Sequence, residues 1–153
     1  MSKKLILLDL DHTLIYGSYA ETETANKLFK FNSYLSVYER PLARNLVKLC
    51  QEKGDIIIYT TALKTYAKKI SKALEINPIK ILSRKDCSKK NDNFKKIINI
   101  EWIINYDEII VIDDSPNVWK NCPDSIKFFV PTEFRGDSTD FELKPILEKV
   151  RLL

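Results

Sequence analysis

Five short apolar runs punctuate the chain: Leu5-Ile6-Leu7-Leu8, Ile56-Ile57-Ile58-Tyr59, Ile79-Lys80-Ile81-Leu82, Ile109-Ile110-Val111-Ile112 and Ile126-Lys127-Phe128-Phe129-Val130. They are short and rich in β-branched residues, which predicts strands buried on both faces, as in a parallel sheet. Segments with helical spacing lie between most of them. Leu42, Leu46, Val47 and Leu49 follow Pro41, a residue favoured at helix starts. Tyr66, Ile70, Ala73 and Leu74 form a second stripe that ends near Asn77-Pro78. Phe94, Ile97, Ile98, Trp102 and Ile103 predict a third helix, with Asn99 a candidate break. Phe141, Leu143, Ile146, Leu147 and Val150 predict a last one, with Pro145 near its start. This alternation predicts an α/β fold built on a parallel sheet.

Residues 17–40 break the rhythm. Residues 30–38 alternate and are rich in aromatics, which predicts a strand of a small hairpin, and residues 21–26 read as a polar turn or mobile loop. With 153 residues the chain is expected to form one domain, 1–153, with a flap insertion at about 17–40 and no large cap over an active site.

Composition changes this picture little. A formal charge of +4 suits an anionic substrate but does not by itself argue for nucleic acid. Lysine pairs such as Lys68-Lys69, Lys89-Lys90 and Lys95-Lys96 read as solvated helix faces. Cys50, Cys87 and Cys122 form neither a CxxC nor a Cys/His cluster, which argues against disulfides and zinc and for a reducing compartment. The four apolar residues after Lys3-Lys4 are too few for a signal-peptide core or a membrane span. The expectation is a soluble intracellular protein, with a monomer as the default and no membrane partner.

Open parallel sheets bind ligands beyond the carboxyl ends of their strands. Asp9-Leu10-Asp11 follows the first run, Thr60-Thr61 the second, Ser83-Arg84-Lys85-Asp86 the third and Asp113-Asp114-Ser115 the fourth. Two unit charges 4 Å apart repel by about 4 kcal/mol at an effective dielectric near 20. Carboxylates converging on one edge therefore call for a hard cation, and an all-oxygen set favours Mg²⁺.

These residues resemble a known family. Asp9-Leu10-Asp11-His12-Thr13 matches the DxDxT motif of the haloacid dehalogenase-like superfamily of aspartate-based phosphotransferases. Residues 59–67, beginning Tyr59-Thr60-Thr61, and Asp113-Asp114-Ser115-Pro116 resemble motifs of its FCP/SCP branch, which includes the polymerase C-terminal-domain phosphatases and NIF-type domains. Arg40-Pro41, Ser83-Arg84-Lys85-Asp86 and the ending Ser138-Thr139-Asp140-Phe141 also fit, so the resemblance runs from Lys4 to the C-terminus. Asp114 departs from the branch, which often has Asn there, and Ala62 stands where Ser is common.

The resemblance implies a Rossmann-like fold with strand order 5-4-1-2-3. It implies Asp9 as nucleophile, Asp11 as general acid and then base, and Mg²⁺ held by Asp9, the Asp11 carbonyl, Asp113 and Asp114. Thr60 would hydrogen-bond the phosphate. A lysine would complete the clamp, Lys96 by register, with Lys95 and Lys90 as competitors. Leu63, Tyr66 and Arg84 occupy positions that contact the phosphopeptide in the branch, and Phe31 and Tyr34 could line the same groove. His12 is assigned no role, and Trp102 and Trp119 read as packing residues. The implied substrate is a phosphorylated protein. Nucleotides, nucleic-acid ends or small metabolites are the alternative, and a non-catalytic binding module is a third reading.

Overall fold

The apolar runs predicted as strands form the centre of the computed structural model, which describes residues 2–21 and 23–153. Thr22, inside the expected polar turn, lies outside the described residues. β1 (Lys4–Leu8) leads into β2 (Ile15–Ser18), β3 (Asn26–Lys30) and β4 (Ser36–Glu39). Then come α1 (Ala43–Lys53), β5 (Asp55–Tyr59), α2 (Lys64–Ala73), β6 (Lys80–Leu82), β7 (Ser88–Lys90) and β8 (Asn93–Ile97). The chain ends with α3 (Ile100–Asn105), β9 (Glu108–Ile112), β10 (Trp119–Lys120), β11 (Lys127–Phe129) and α4 (Lys144–Arg151).

The central sheet is parallel throughout, in the order β11-β9-β1-β5-β6. Counted within this sheet, that is the expected 5-4-1-2-3. The order reverses beside β1, so the carboxyl ends of β1, β5 and β9 are neighbours. Side chains alternate across the sheet. Ile6, Leu8, Ile56, Ile58, Ile110 and Ile112 pack with α1, α2 and α4, while Leu5, Leu7, Ile57, Ile109 and Val111 pack on the α3 side. Each such residue fully buried contributes about 1.5–3 kcal/mol. Gly54 ends α1 so close to β1 that a Cβ there would run into the Lys4 carbonyl oxygen.

Four expectations need correction. Residues 93–97 are strand β8, not helix. Asn91 and Asp92 both take left-handed backbone (φ 49 and 62), which suits a tight hairpin turn between β7 and β8. The helix starts only after Asn99, whose side chain accepts the Glu101 amide. Residues 30–38 are not one strand, because Asn32 Oδ1 accepts the Tyr34 and Leu35 amides, both at 2.8 Å, and turns the chain between β3 and β4. The insertion is thus a three-stranded antiparallel flap, β2-β4-β3. The last helix starts at Lys144 with Pro145 in its first turn, leaving Phe141 outside it and exposed. The pairs Lys89-Lys90 and Lys95-Lys96 lie on strands, and Lys96 is buried.

Arg40 ties the flap's end to the loop after β1. Its side chain is wholly buried and pairs with Asp140 through Nε (2.9 Å) and Nη2 (3.2 Å). Nη1 donates to the carbonyls of Thr13 (3.1 Å) and His12 (3.3 Å). Removing one member of a buried pair strands the other, at a cost of about 3–5 kcal/mol. Arg40→Ala should lower the unfolding free energy measured in urea by an amount in that range, and a value within error of wild type would refute the buttress.

Candidate active site

Asp9 leaves the end of β1 with its amide still in the sheet, donating to Ile112 O at 3.0 Å. The loop then folds back on itself. Leu10 O accepts the amides of Thr13, Leu14 and Ile15, and His12 takes a left-handed φ of 64. This tight return sends Asp9 and Asp11 out beyond the sheet edge. Asp113 and Asp114 follow β9 on one side of β1, and Thr60 follows β5 on the other.

The charges are tightly paired. Lys96 Nζ lies 2.9 Å from Asp9 Oδ1 and 2.7 Å from Asp113 Oδ2, and all three residues are buried. Lys95 instead donates to Asn117 O, and Lys90 is exposed. Thr13 Oγ1 is 2.8 Å from Asp9 Oδ2 and 3.0 Å from Asp114 Oδ1, with one proton to share between them, and it accepts the Asp114 amide. Trp119 Nε1 donates to Asp113 Oδ2 at 3.0 Å. Ligand atoms of Asp9, Asp113 and Asp114 all lie within 4.8 Å of one another. This all-oxygen set fits a hard divalent cation. The Asp11 side chain is not part of that set but lines the same cavity, and it accepts from the Tyr66 hydroxyl at 3.1 Å.

Burial pushes Asp9 above the ordinary aspartate range, and Lys96 pulls it back. Asp11 rises to about 6 through burial and then the neighbouring Asp9, and Asp113 rises to about 6 for the same two reasons. Burial works against the charge on Lys96, but Asp9 and Asp113 outweigh it and hold the ammonium above the usual lysine value.

These shifts have a sign that can be measured. The folded values of Asp11 and Asp113 near 6 exceed the ordinary 3.8. Above about pH 6 the folded protein carries the full cost of two buried charges, and as pH falls through 6 it takes up protons before the unfolded chain does. Chelated protein should therefore unfold at a higher temperature at about pH 5 than at about pH 7.5. Saturating Mg²⁺ should raise the midpoint at the higher pH. Calorimetry in EDTA and in MgCl₂ checks both signs, and a midpoint that falls between pH 7.5 and 5 in EDTA contradicts the first.

A cavity of about 110 Å³ opens on Asp9, Asp11, Thr60, Lys96, Asp113 and Asp114. Thr60 Oγ1 accepts the Ala62 amide at 3.1 Å, which leaves its own proton free to donate. Beside this cavity, and sharing Asp11 with it, runs an open groove of about 400 Å³ lined by Phe31, Leu35, Leu63, Tyr66 and Arg84. Leu63 is 54% exposed. Arg84 donates Nε to Thr61 O and sits 5.1 Å from the centroid of the Phe94 ring. Tyr34 stands exposed at the flap turn, outside this wall.

The sequence marks Trp119 only as a packing residue, and Thr13 and Arg40 only as matches to family motifs, with no role at the site. Thr13 closes the DxDxT motif and could have been singled out from it. Trp119 carries no local signal, because its contact with Asp113 depends on how β10 pairs with β8. A larger cavity, about 400 Å³, lies at the opposite end of the sheet, by Gly54 and Asp55. It gathers none of these groups.

Residues 4–153 match the family model of the NLI interacting factor-like phosphatases. An uncharacterized protein of Schizosaccharomyces pombe is 27% identical over 122 residues, which is 75% of this chain and 37% of that protein. Phosphatase Herzog of Drosophila melanogaster is 26% identical over 161 residues, 98% of this chain and 45% of Herzog. The chain thus spans less than half the length of these curated relatives. Among solved structures, Fcp1, an essential RNA polymerase II CTD phosphatase, matches with a TM-score of 0.59 at 24% identity, covering 99% of this chain and 49% of that one. Fission yeast Fcp1 bound to beryllium fluoride gives a TM-score of 0.58 at 22% identity, with 99% and 50% covered. At these identities the likeness is one of fold. No helix among the described residues is long and apolar enough to cross a membrane.

Proposed function

Because the chain belongs to the NLI interacting factor-like phosphatase family, we propose that it is a Mg²⁺-dependent phosphomonoester hydrolase acting through an aspartyl-phosphate on phosphoserine or phosphothreonine in a protein. The observation that carries this reading is the buried Asp9, held by Lys96 and the Thr13 hydroxyl, with Asp113 and Asp114 gathered beside it.

In the first step a carboxylate oxygen of Asp9 attacks phosphorus, the bond from phosphorus to the ester oxygen breaks, and Asp11 gives that oxygen its proton. In the second step Asp11 takes a proton from water, whose oxygen attacks phosphorus and releases Asp9 and inorganic phosphate. An Asp11 raised to about 6 holds a proton nearer neutrality than an exposed aspartate does, as a donor must. Thr60 donates to a phosphoryl oxygen, and Lys96 offsets charge on Asp9. Asp9, Asp113, Asp114 and the Asp11 carbonyl would hold Mg²⁺, which offsets the repulsion between a phosphate dianion and these carboxylates.

The open groove beside the cavity supports an extended, macromolecular substrate, with Leu63, Tyr66 and Arg84 along its wall. The test is turnover of a phosphopeptide panel with Mg²⁺ against nucleotides and sugar phosphates. Release of phosphate from peptides is the expected result. Turnover confined to small phosphates would overturn the protein-phosphatase reading.

A further inference from the structure

The hydroxyl of Tyr66 reaches across the groove from the first turn of α2 and donates to Asp11 Oδ1 at 3.1 Å. The ring itself is nearly buried, at 7% exposure. Phe31, just past the end of β3, packs edge-on against it with ring centroids 5.1 Å apart. Gly17 in β2 lies against the hydroxyl end of the ring, and a Cβ built there would stand 2.8 Å from the Tyr66 oxygen. The Gly17 backbone is not in the left-handed region, so glycine is required there for space rather than for conformation. Two strands of the flap thus contribute to one small device. β3 leads to the aromatic that braces the ring, and β2 leaves the gap that the hydroxyl fills.

We infer that Tyr66 is a positioning residue for Asp11, held by the flap so that the Asp11 carboxyl keeps one orientation toward the leaving oxygen. A carboxylate attached by two rotatable bonds at the rim of a 110 Å³ cavity has several accessible rotamers. A hydrogen bond to one oxygen from a braced phenol removes most of that freedom. The flap therefore does more than wall the groove, because the Tyr66 ring is at once part of that wall and the anchor of the proton donor.

This inference rests on the phosphatase reading above, and its test separates the two. Departure of an alkoxide needs a proton, whereas departure of p-nitrophenolate hardly does. The readout is kcat/KM with Mg²⁺ over small phosphate esters, from p-nitrophenyl through phenyl to alkyl phosphates, none of which fills the groove. Tyr66→Phe keeps the ring and its contact with Phe31 and removes only the hydroxyl. It should lower kcat/KM for alkyl phosphates by about tenfold or more, with the loss in kcat, and change p-nitrophenyl phosphate by less than about threefold. Gly17→Ala, which presses on the same hydroxyl with Tyr66 intact, should steepen the leaving-group dependence in the same direction. An equal loss across the series would overturn the inference in favour of a structural role. A rise in KM with kcat unchanged would overturn it in favour of a substrate contact. A wild-type protein inert toward these esters and toward the phosphopeptide panel alike would overturn the phosphatase reading and this inference with it.

Discussion

Asp9→Asn should abolish turnover, lowering kcat by about 10⁴-fold or more on any phosphate ester, because no other group can take its place as nucleophile. Asparagine keeps the shape: its one carbonyl oxygen can still accept from Lys96, 2.9 Å from Asp9 Oδ1, while its amide nitrogen would face Thr13 Oγ1, 2.8 Å from Asp9 Oδ2, and donate to it. It lacks the charge needed to attack phosphorus. The same substitution removes one of three clustered carboxylates, so burial costs less and the variant should unfold at a temperature no lower than wild type. Activity and stability are thus expected to move apart. Stopped assays with Mg²⁺ and a thermal scan of the same preparation check both. A variant retaining a tenth of the wild-type rate would refute Asp9 as nucleophile. A wild-type rate equal to background would favour a phosphate-binding module instead.

Lys96→Met should be the costliest single change to the fold around the site. It leaves the Asp9 and Asp113 carboxylates facing each other in a buried pocket without the ammonium that joins them at 2.9 and 2.7 Å. Breaking a buried ion pair by removing one partner costs about 3–5 kcal/mol. Removing a carboxylate as well should return part of it, so Lys96→Met with Asp113→Asn is expected to be more stable than Lys96→Met alone. The rate should not return, since both variants lack the cation that offsets charge on Asp9. Urea unfolding of the four members of this cycle measures the coupling. Additive losses would show that Lys96 and Asp113 do not act as a pair. The destabilisation of Lys96→Met should shrink as pH falls toward about 6, because Lys96 holds the Asp113 value down to about 6 and without the ammonium Asp113 takes up its proton at a higher pH.

The strands of the central sheet and the residues at their ends could be read along the chain. Apolar runs such as Ile109–Ile112 are confined to a few residues, and the carboxylates follow them directly, so the signal is local. Periodicity misleads over the hairpin β7–β8, because Phe94, Ile97 and Ile98 mimic helical spacing. The informative signal was the Asn91-Asp92 turn that precedes them. The flap was legible as an insertion, but its division into β3 and β4 depends on one Asn32 side chain capping a turn.

The α/β rhythm and the carboxylates that end its strands are legible in the chain, since both follow from patterns a few residues long. The tertiary structure alone decided how they pair. Lys96 stands 87 positions from Asp9, yet it reaches that carboxylate because β8 folds back as a hairpin instead of continuing as a helix. Trp119 on Asp113, Arg40 beneath the loop after β1 and Tyr66 on Asp11 likewise join separate elements. Such contacts arise only when strand order and burial bring distant segments together. A buried charge must then find its partner wherever the fold supplies one, and no local pattern records where that is.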